Sequence, residues 1–186
     1  GVVALGDLLA AAVTESDNTA ADVLMKRIGG PGAVTAWLAA KRIHDLRVDR
    51  YERELQPAIY DMPSFRAAWR TDAAYDAARQ AVPAAKRMAA MRAYMADPRD
   101  TATPPAMLRF LQALNRGELL TPASTTRLIV LMSQTIRAGK RIRAGLPASA
   151  FLAHKPGTAG VDQGLSVACN DVGIFTLADR RSYALA

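Results

Sequence analysis

The spacing of apolar residues changes period once along this chain, at Pro147, and that change limits the folds open to it. Before Pro147, apolar side chains recur at i, i+3, i+4 and i+7, the period of one helix face. Leu5, Leu8, Leu9 and Ala12 do so over residues 4–13, and Ala20, Val23, Leu24 and Arg27 share a face over 19–28. Val34, Trp37 and Leu38 do so over 33–43, with Lys41 in line with their stripe. Met107, Leu108, Leu111 and Leu114 mark a helix opened by Thr103-Pro104-Pro105 and ended by Asn115-Arg116-Gly117, and Thr121-Pro122 opens another through 124–137. After a basic, glycine-containing connection over 139–147, the pattern reads as strands at 149–155, 167–177 and 183–186, with a turn-rich loop over 157–164 and a hairpin turn at Ala178-Asp179-Arg180-Arg181. Helices first and an antiparallel sheet last predict an α+β protein, with a helical domain over 1–147 and a sheet segment over 148–186.

Two internal stretches need separate treatment. Residues 49–56 are dense in charge without a clean period and read as a loop. Residues 57–96 carry helical stripes again: Ser64 is placed to cap a helix bearing Phe65, Ala68, Trp69 and Ala73. After Val82-Pro83 a second helix carries Met88, Met91, Tyr94 and Met95. The expectation is a helical hairpin whose apolar stripe packs on the rest of the chain, since disordered segments lack such surface.

A net charge of +7 raises nucleic-acid binding. The basic residues, however, occur as scattered pairs such as Lys26-Arg27, Lys41-Arg42, Lys86-Arg87 and Arg180-Arg181 that never grow into a block, and aromatic content is 6%. Charge of this kind speaks to solubility, and no nucleic-acid partner is expected. No apolar run reaches the roughly 20 residues that span a bilayer, so no membrane partner is expected either. Gly1-Val2-Val3-Ala4 lacks the basic region and cleavage site of a signal peptide. The single cysteine, Cys169, excludes an internal disulfide and reads as a small buried strand residue; His44 reads as a capping or surface residue. Two isolated histidines and one cysteine do not make a zinc site, and no metal or cofactor is expected.

Four stretches carry chemistry. Ser16-Asp17-Asn18 alone is no more than a helix N-cap. It is followed, in order, by Arg50-Tyr51-Glu52-Arg53-Glu54-Leu55-Gln56, by Asp97-Pro98-Arg99-Asp100-Thr101-Ala102-Thr103-Pro104, and by His154-Lys155-Pro156-Gly157-Thr158. Together they resemble the class A β-lactamases, serine hydrolases marked by Ser-x-x-Lys, Ser-Asp-Asn and Lys-Thr-Gly elements. The resemblance implies the α+β fold of that family and hydrolysis of a small-molecule β-lactam through an acyl-enzyme. It identifies Ser16 with the hydroxyl that shuttles a proton to the lactam nitrogen, and Glu52 with the base that activates the deacylating water. Lys155 becomes the positive charge near the substrate carboxylate. Asn18, Gln56, Gly157 and Thr158 become substrate- and water-facing residues, with the Thr158 N–H as an oxyanion donor and Gly157 allowing close approach of the ligand. Arg50 and Asp100 become an ion pair at the neck of the family's omega loop, which makes 57–96 a helical insertion in that loop. The resemblance also implies a periplasmic or secreted protein that is a monomer when complete.

The departures are specific. Gln56 stands where Asn is usual and Arg53 where Pro is common; Pro156 replaces a hydroxyl residue. None of Ser16, Ser64, Ser124, Ser133, Ser149, Ser166 and Ser182 has Lys three residues on, Ser124 coming nearest with Arg127. The resemblance therefore places the nucleophile upstream of Gly1 and the rest of the last strand downstream, so the chain reads as a fragment that is inactive alone. Two other readings stay open: a penicillin-binding or D-Ala-D-Ala peptidase-like relative, against which Glu52 argues, and a helical interaction module without catalysis.

Overall fold

Side-chain caps decide where four of the helices begin. The computed structural model describes residues 2–137 and 139–186; Gly1 and Ala138, both within the helical domain expected over 1–147, lie outside them. Asp17 accepts the Ala20 N–H at 2.9 Å and starts helix α2, Asn18–Arg27. Thr71, Thr103 and Thr121 accept the N–H groups of Ala74, Ala106 and Ser124 and start α5 (Asp72–Ala81), α7 (Pro104–Asn115) and α8 (Pro122–Ser133). Each cap satisfies one of the orphan donors at a helix start. The remaining helices are α1 (Leu5–Ala10), α3 (Pro31–Ala40), α4 (Glu52–Ala58) and α6 (Ala84–Ala96).

Several boundaries differ from the sequence expectation. The helix expected over 4–13 widens after Ala10 into a π-turn over Ala11–Glu15, and Leu5 stays 49% exposed. Pro31 opens α3 rather than only closing α2, because its missing N–H costs nothing in a first turn. Gly30, at φ 86°, makes the sharp link between them, and a Cβ there would sit 2.9 Å from the Tyr51 hydroxyl. The stretch 49–56 is not a loop throughout: α4 begins at Glu52, and the Asp22 carboxylate of α2 accepts the Glu52 and Arg53 N–H groups at 2.7 and 3.0 Å. A tertiary carboxylate thus joins the local reach-back of Glu54, which accepts the Tyr51 N–H at 3.1 Å, in capping this helix start.

Segment 57–96 holds two helices, but the first begins only at Asp72, so Phe65, Ala68 and Trp69 precede α5 instead of lying on it. Among the described residues Ser64 caps no helix; Phe65 N–H donates instead to Arg53 O, and a short 3₁₀ turn at Ala67–Trp69 precedes α5. Phe65, Trp69 and Tyr75 form an aromatic trio with centroids 6.4 Å apart. Ile59, Tyr60, Met62 and Met91 make a buried cluster of their own. Met95 is not part of it and lies 59% exposed.

The sheet is antiparallel in the order β1-β2-β3, with β1 at Phe151–Thr158, β2 at Cys169–Thr176 and β3 at Ser182–Leu185. Strand β1 runs three residues past Lys155, pairing Gly157 with Asn170 and Thr158 with Cys169, so both leave the turn-rich loop assigned to 157–164. Cys169 is exposed at the open end of β2, not buried. Helix α8 packs on β1 and α7 on β2 and β3. The main core lies between them, where Leu111, Leu114 and Met132 meet Ala153 and Ile174. That core presents the Lys155 end of β1 beside the turn that carries Ser16.

Candidate active site

Ser16 is held by the ending of a helix rather than by a cap. Widening to a π-turn sends the Ser16 N–H back to Ala11 O and frees the carbonyls that follow. The segment after α8 satisfies them. Ile136 N–H donates to Thr14 O at 3.2 Å, the Thr135 hydroxyl to Val13 O and Thr14 O, and Arg137 Nε to Glu15 O. Ser16 itself takes φ 59° and ψ 41°, a left-handed conformation uncommon for a residue with a Cβ. Such conformations persist only where the surroundings over-determine them. Asp17 absorbs the N-capping task, so the Ser16 hydroxyl and the exposed Asn18 amide, on the first turn of α2, are left for other partners.

Lys155 Nζ donates to Ser16 Oγ and, at 3.1 Å, to Pro156 O. Burial pushes its pKa down; Arg137 adds to the effect, while the Glu52 and Asp171 carboxylates oppose it. Glu52 thus acts electrostatically on the same ammonium. It sits at the first position of α4, and its Oε2 accepts from Gln56 Nε2 at 2.9 Å, one turn on. The longer Gln side chain therefore reaches the carboxylate itself.

The floor of this arrangement is tied down just before the start of α4. Arg50 Nε donates to Asp100 Oδ2 at 2.6 Å, with the two side chains 11% and 9% exposed. Asp100 Oδ1 also accepts the Asp49 and Arg50 N–H groups, and Asp49 Oδ2 accepts the Asp100 N–H.

Gly157 and Thr158 lie on the last residues of β1. A Cβ on Gly157 would meet Asn170 Oδ1 at 2.5 Å, so the close approach there is made by Asn170 of β2 and not by open space for a ligand. Thr158 Oγ1 accepts from Arg141 Nη2 at 2.6 Å. Arg141 Nη1 reaches Gly157 O at 2.9 Å and Asn170 O at 2.5 Å, bridging the strand ends.

Sequence reasoning passed over three contributors. Arg141 was hidden in a connection read only as basic. Asp22 caps α4 from 30 residues away. The buried His154 holds Asp171 through Nδ1 at 2.8 Å, and Asp171 in turn accepts the Ile142 N–H at 3.2 Å, next to Arg141. The only local signal for the last was alternation: His154 precedes Lys155 and so faces the opposite side of the strand. Among the described residues no group of three His, Cys, Asp or Glu is placed to hold a metal ion.

The comparisons with known proteins cover this whole arrangement. The sequence model of the Beta-lactamase enzyme family matches residues 2–186. The β-lactamase VEB-1 of Pseudomonas aeruginosa is 28% identical over 167 residues, which is 89% of this chain and 44% of that protein. An ancestral (GNCA) class A β-lactamase superposes with a TM-score of 0.70 at 31% identity, over 98% of this chain and 55% of the other. A β-lactamase from Chitinophaga pinensis does so with a TM-score of 0.72 at 27% identity, over 98% and 54%. The chain thus spans about half the length of the relatives it matches, and over that half it belongs to the Beta-lactamase enzyme family.

Proposed function

We propose that these residues form the proton-handling, water-activating and substrate-anchoring side of a serine β-lactamase site, which opens the β-lactam amide through an acyl-enzyme. The observation that carries the reading is the contact of Lys155 Nζ with Ser16 Oγ, between residues 139 apart in sequence and on two different elements. Attack on the lactam carbonyl places negative charge on oxygen, and collapse then breaks the C–N bond, whose nitrogen needs a proton. With Lys155 donating to its oxygen, the Ser16 hydroxyl keeps its own hydrogen free for that nitrogen. Burial that lowers the Lys155 pKa makes the following proton exchange easier.

In the second half-reaction the Glu52 carboxylate takes a proton from water, which attacks the ester. Gln56 occupies Oε2 and orients the group, leaving Oε1 for the water. The exposed Asn18 amide offers both a donor and an acceptor to a substrate side-chain amide. Lys155 and Arg141 supply positive charge for the substrate carboxylate, with Thr158 between them; the Thr158 N–H serves as an oxyanion donor. The Arg50–Asp100 pair closes the loop that begins with α4. No serine of the 186 residues has Lys at the third position after it, and the nucleophile belongs to another segment. A periplasmic or secreted location and a role in antibiotic resistance are part of the same proposal.

The test uses a form that carries the serine nucleophile together with these residues. Glu52→Gln should let a penicillin acylate that serine and remain attached, seen as a persistent mass increase. Normal turnover without a trapped adduct would remove Glu52 from the role.

A further inference from the structure

Residues 57–96 have no task in the chemistry above, yet they pack between two walls of the candidate site. On one side Leu55 of α4, one turn beyond Glu52, joins the cluster of Ile59, Tyr60, Met62 and Met91. On the other side Leu165 and Val167, from the connection between β1 and β2, pack on that same cluster. The connection starts at Ala159, directly after Thr158.

A buried ion cluster joins the same partners. Asp162 lies in the connection and is 6% exposed. Its carboxylate accepts from Arg87 Nε at 2.6 Å and Nη2 at 3.3 Å, and Arg79 Nη1 approaches at 3.4 Å. Arg87, also 6% exposed, sends Nη1 to Val82 O at the junction of α5 and α6. Arg79 in addition pairs with Asp76 and lies over the Tyr60 ring, 5.2 Å from its centroid. Gln163 Nε2 donates to Ala84 O at 2.8 Å. Closing a longer loop requires none of this, because closure entropy grows only slowly with length. Buried charges are costly to desolvate, and their best-attested use is to fix register. A two-armed guanidinium fork on one aspartate is satisfied by a single placement of α6 against the connection.

We propose that residues 57–96 act as a strap holding the Thr158 end of β1 at a set position relative to Glu52, with Arg87 and Asp162 as positioning residues of the site. The inference rests on the reading of Glu52 and Thr158 given above. Its specific content is coupling: releasing Asp162 loosens both walls together. Substrate width on this side of the site is then set by the strap.

The experiment is amide hydrogen exchange on the form that carries the serine nucleophile together with these residues, read by mass spectrometry, together with a fluorine label on Cys169, which is exposed and paired with Thr158 in the ladder. Asp162→Asn should speed exchange about tenfold or more both at 159–167 and in Glu52–Ala58, with α7 and α8 unchanged, and should shift the fluorine resonance. Arg87→Lys, which keeps the charge and loses the fork, should give a smaller effect at the same two places. Arg79→Met leaves the Arg87–Asp162 fork in place while removing the longer contact, the Asp76 pair and the contact with the Tyr60 ring, and supplies the measurement should Asp162→Asn fail to fold. An increase confined to 159–167, an increase spread evenly through α7 and α8, or no increase would each overturn the proposal. None of these readings involves hydrolysis, so they stand or fall separately from the Glu52→Gln trapping result.

Discussion

Asp100→Asn should be among the most damaging conservative substitutions in this chain. The native carboxylate accepts three hydrogen bonds, from Asp49 N–H at 2.6 Å, Arg50 N–H at 3.0 Å and Arg50 Nε at 2.6 Å. An asparagine can keep its oxygen toward the two backbone donors, but its NH₂ then faces Arg50 Nε, donor against donor. Removing one partner of a buried pair costs about 3–5 kcal/mol, because the other charge is left without compensation. Arg50 retains a longer contact to Asp97 at 3.5 Å and stacks over Tyr94 with its Cζ 5.4 Å from the centroid, which places the loss near the lower end. Arg50→Met keeps the buried stem and leaves Asp100 with two backbone donors, so about 2 kcal/mol is expected. A loss of about 3 kcal/mol corresponds to a fall in Tm of roughly 6–12 °C for a chain of this size. The assay is urea denaturation of wild type, both single variants and the double variant, which isolates the pair as a coupling energy. A coupling of about 2 kcal/mol is expected. If the two single losses add to the double loss within about 0.5 kcal/mol, Arg50 and Asp100 do not stabilise each other and the closure argument fails.

Four further outcomes are expected. The Tyr75 hydroxyl is buried without a hydrogen-bond partner among the described residues, so Tyr75→Phe should gain about 1 kcal/mol in urea. Burial also pushes the Tyr75 phenol up to about 12. Since the folded pKa lies above the unfolded one, its contribution is complete below the ordinary tyrosine range and is lost as pH rises through the folded value; Tm measured against alkaline pH should show a loss that Tyr75→Phe reduces. A Cβ at Gly173 would sit 2.6 Å from Ala153 O and 2.7 Å from His154 Cβ, so Gly173→Ala should cost about 1–3 kcal/mol, and an unchanged Tm would contradict the strand spacing. The 186-residue chain alone should not hydrolyse a chromogenic cephalosporin, since little catalysis survives loss of a nucleophile; measurable turnover would place the nucleophile among its own serines.

Much of the architecture was legible in the sequence because it rests on local rules. The apolar period changes where helices give way to strands, and Thr103 and Thr121 before proline mark helix starts that the structure reproduces. The family was legible as well, since motif order and context survive without any knowledge of contacts. What escaped local reading was decided by groups distant in sequence. Helix α4 stands where charges suggested a loop, and Asp22, on α2, joins the local Glu54 in capping it. Cys169 is exposed because β1 and β2 pair to their open ends, which no residue near the cysteine encodes. Ser16 could be singled out, but not its left-handed backbone, which depends on Thr135, Ile136 and Arg137 taking up the carbonyls freed by the π-turn. Arg141 looked like any surface cation until Gly157, Thr158 and Asn170 were brought within reach of it. Periodicity, capping and motif order act over a few residues and can be read from the chain. The partners that satisfy an orphaned carbonyl or a buried charge are chosen only when distant segments meet.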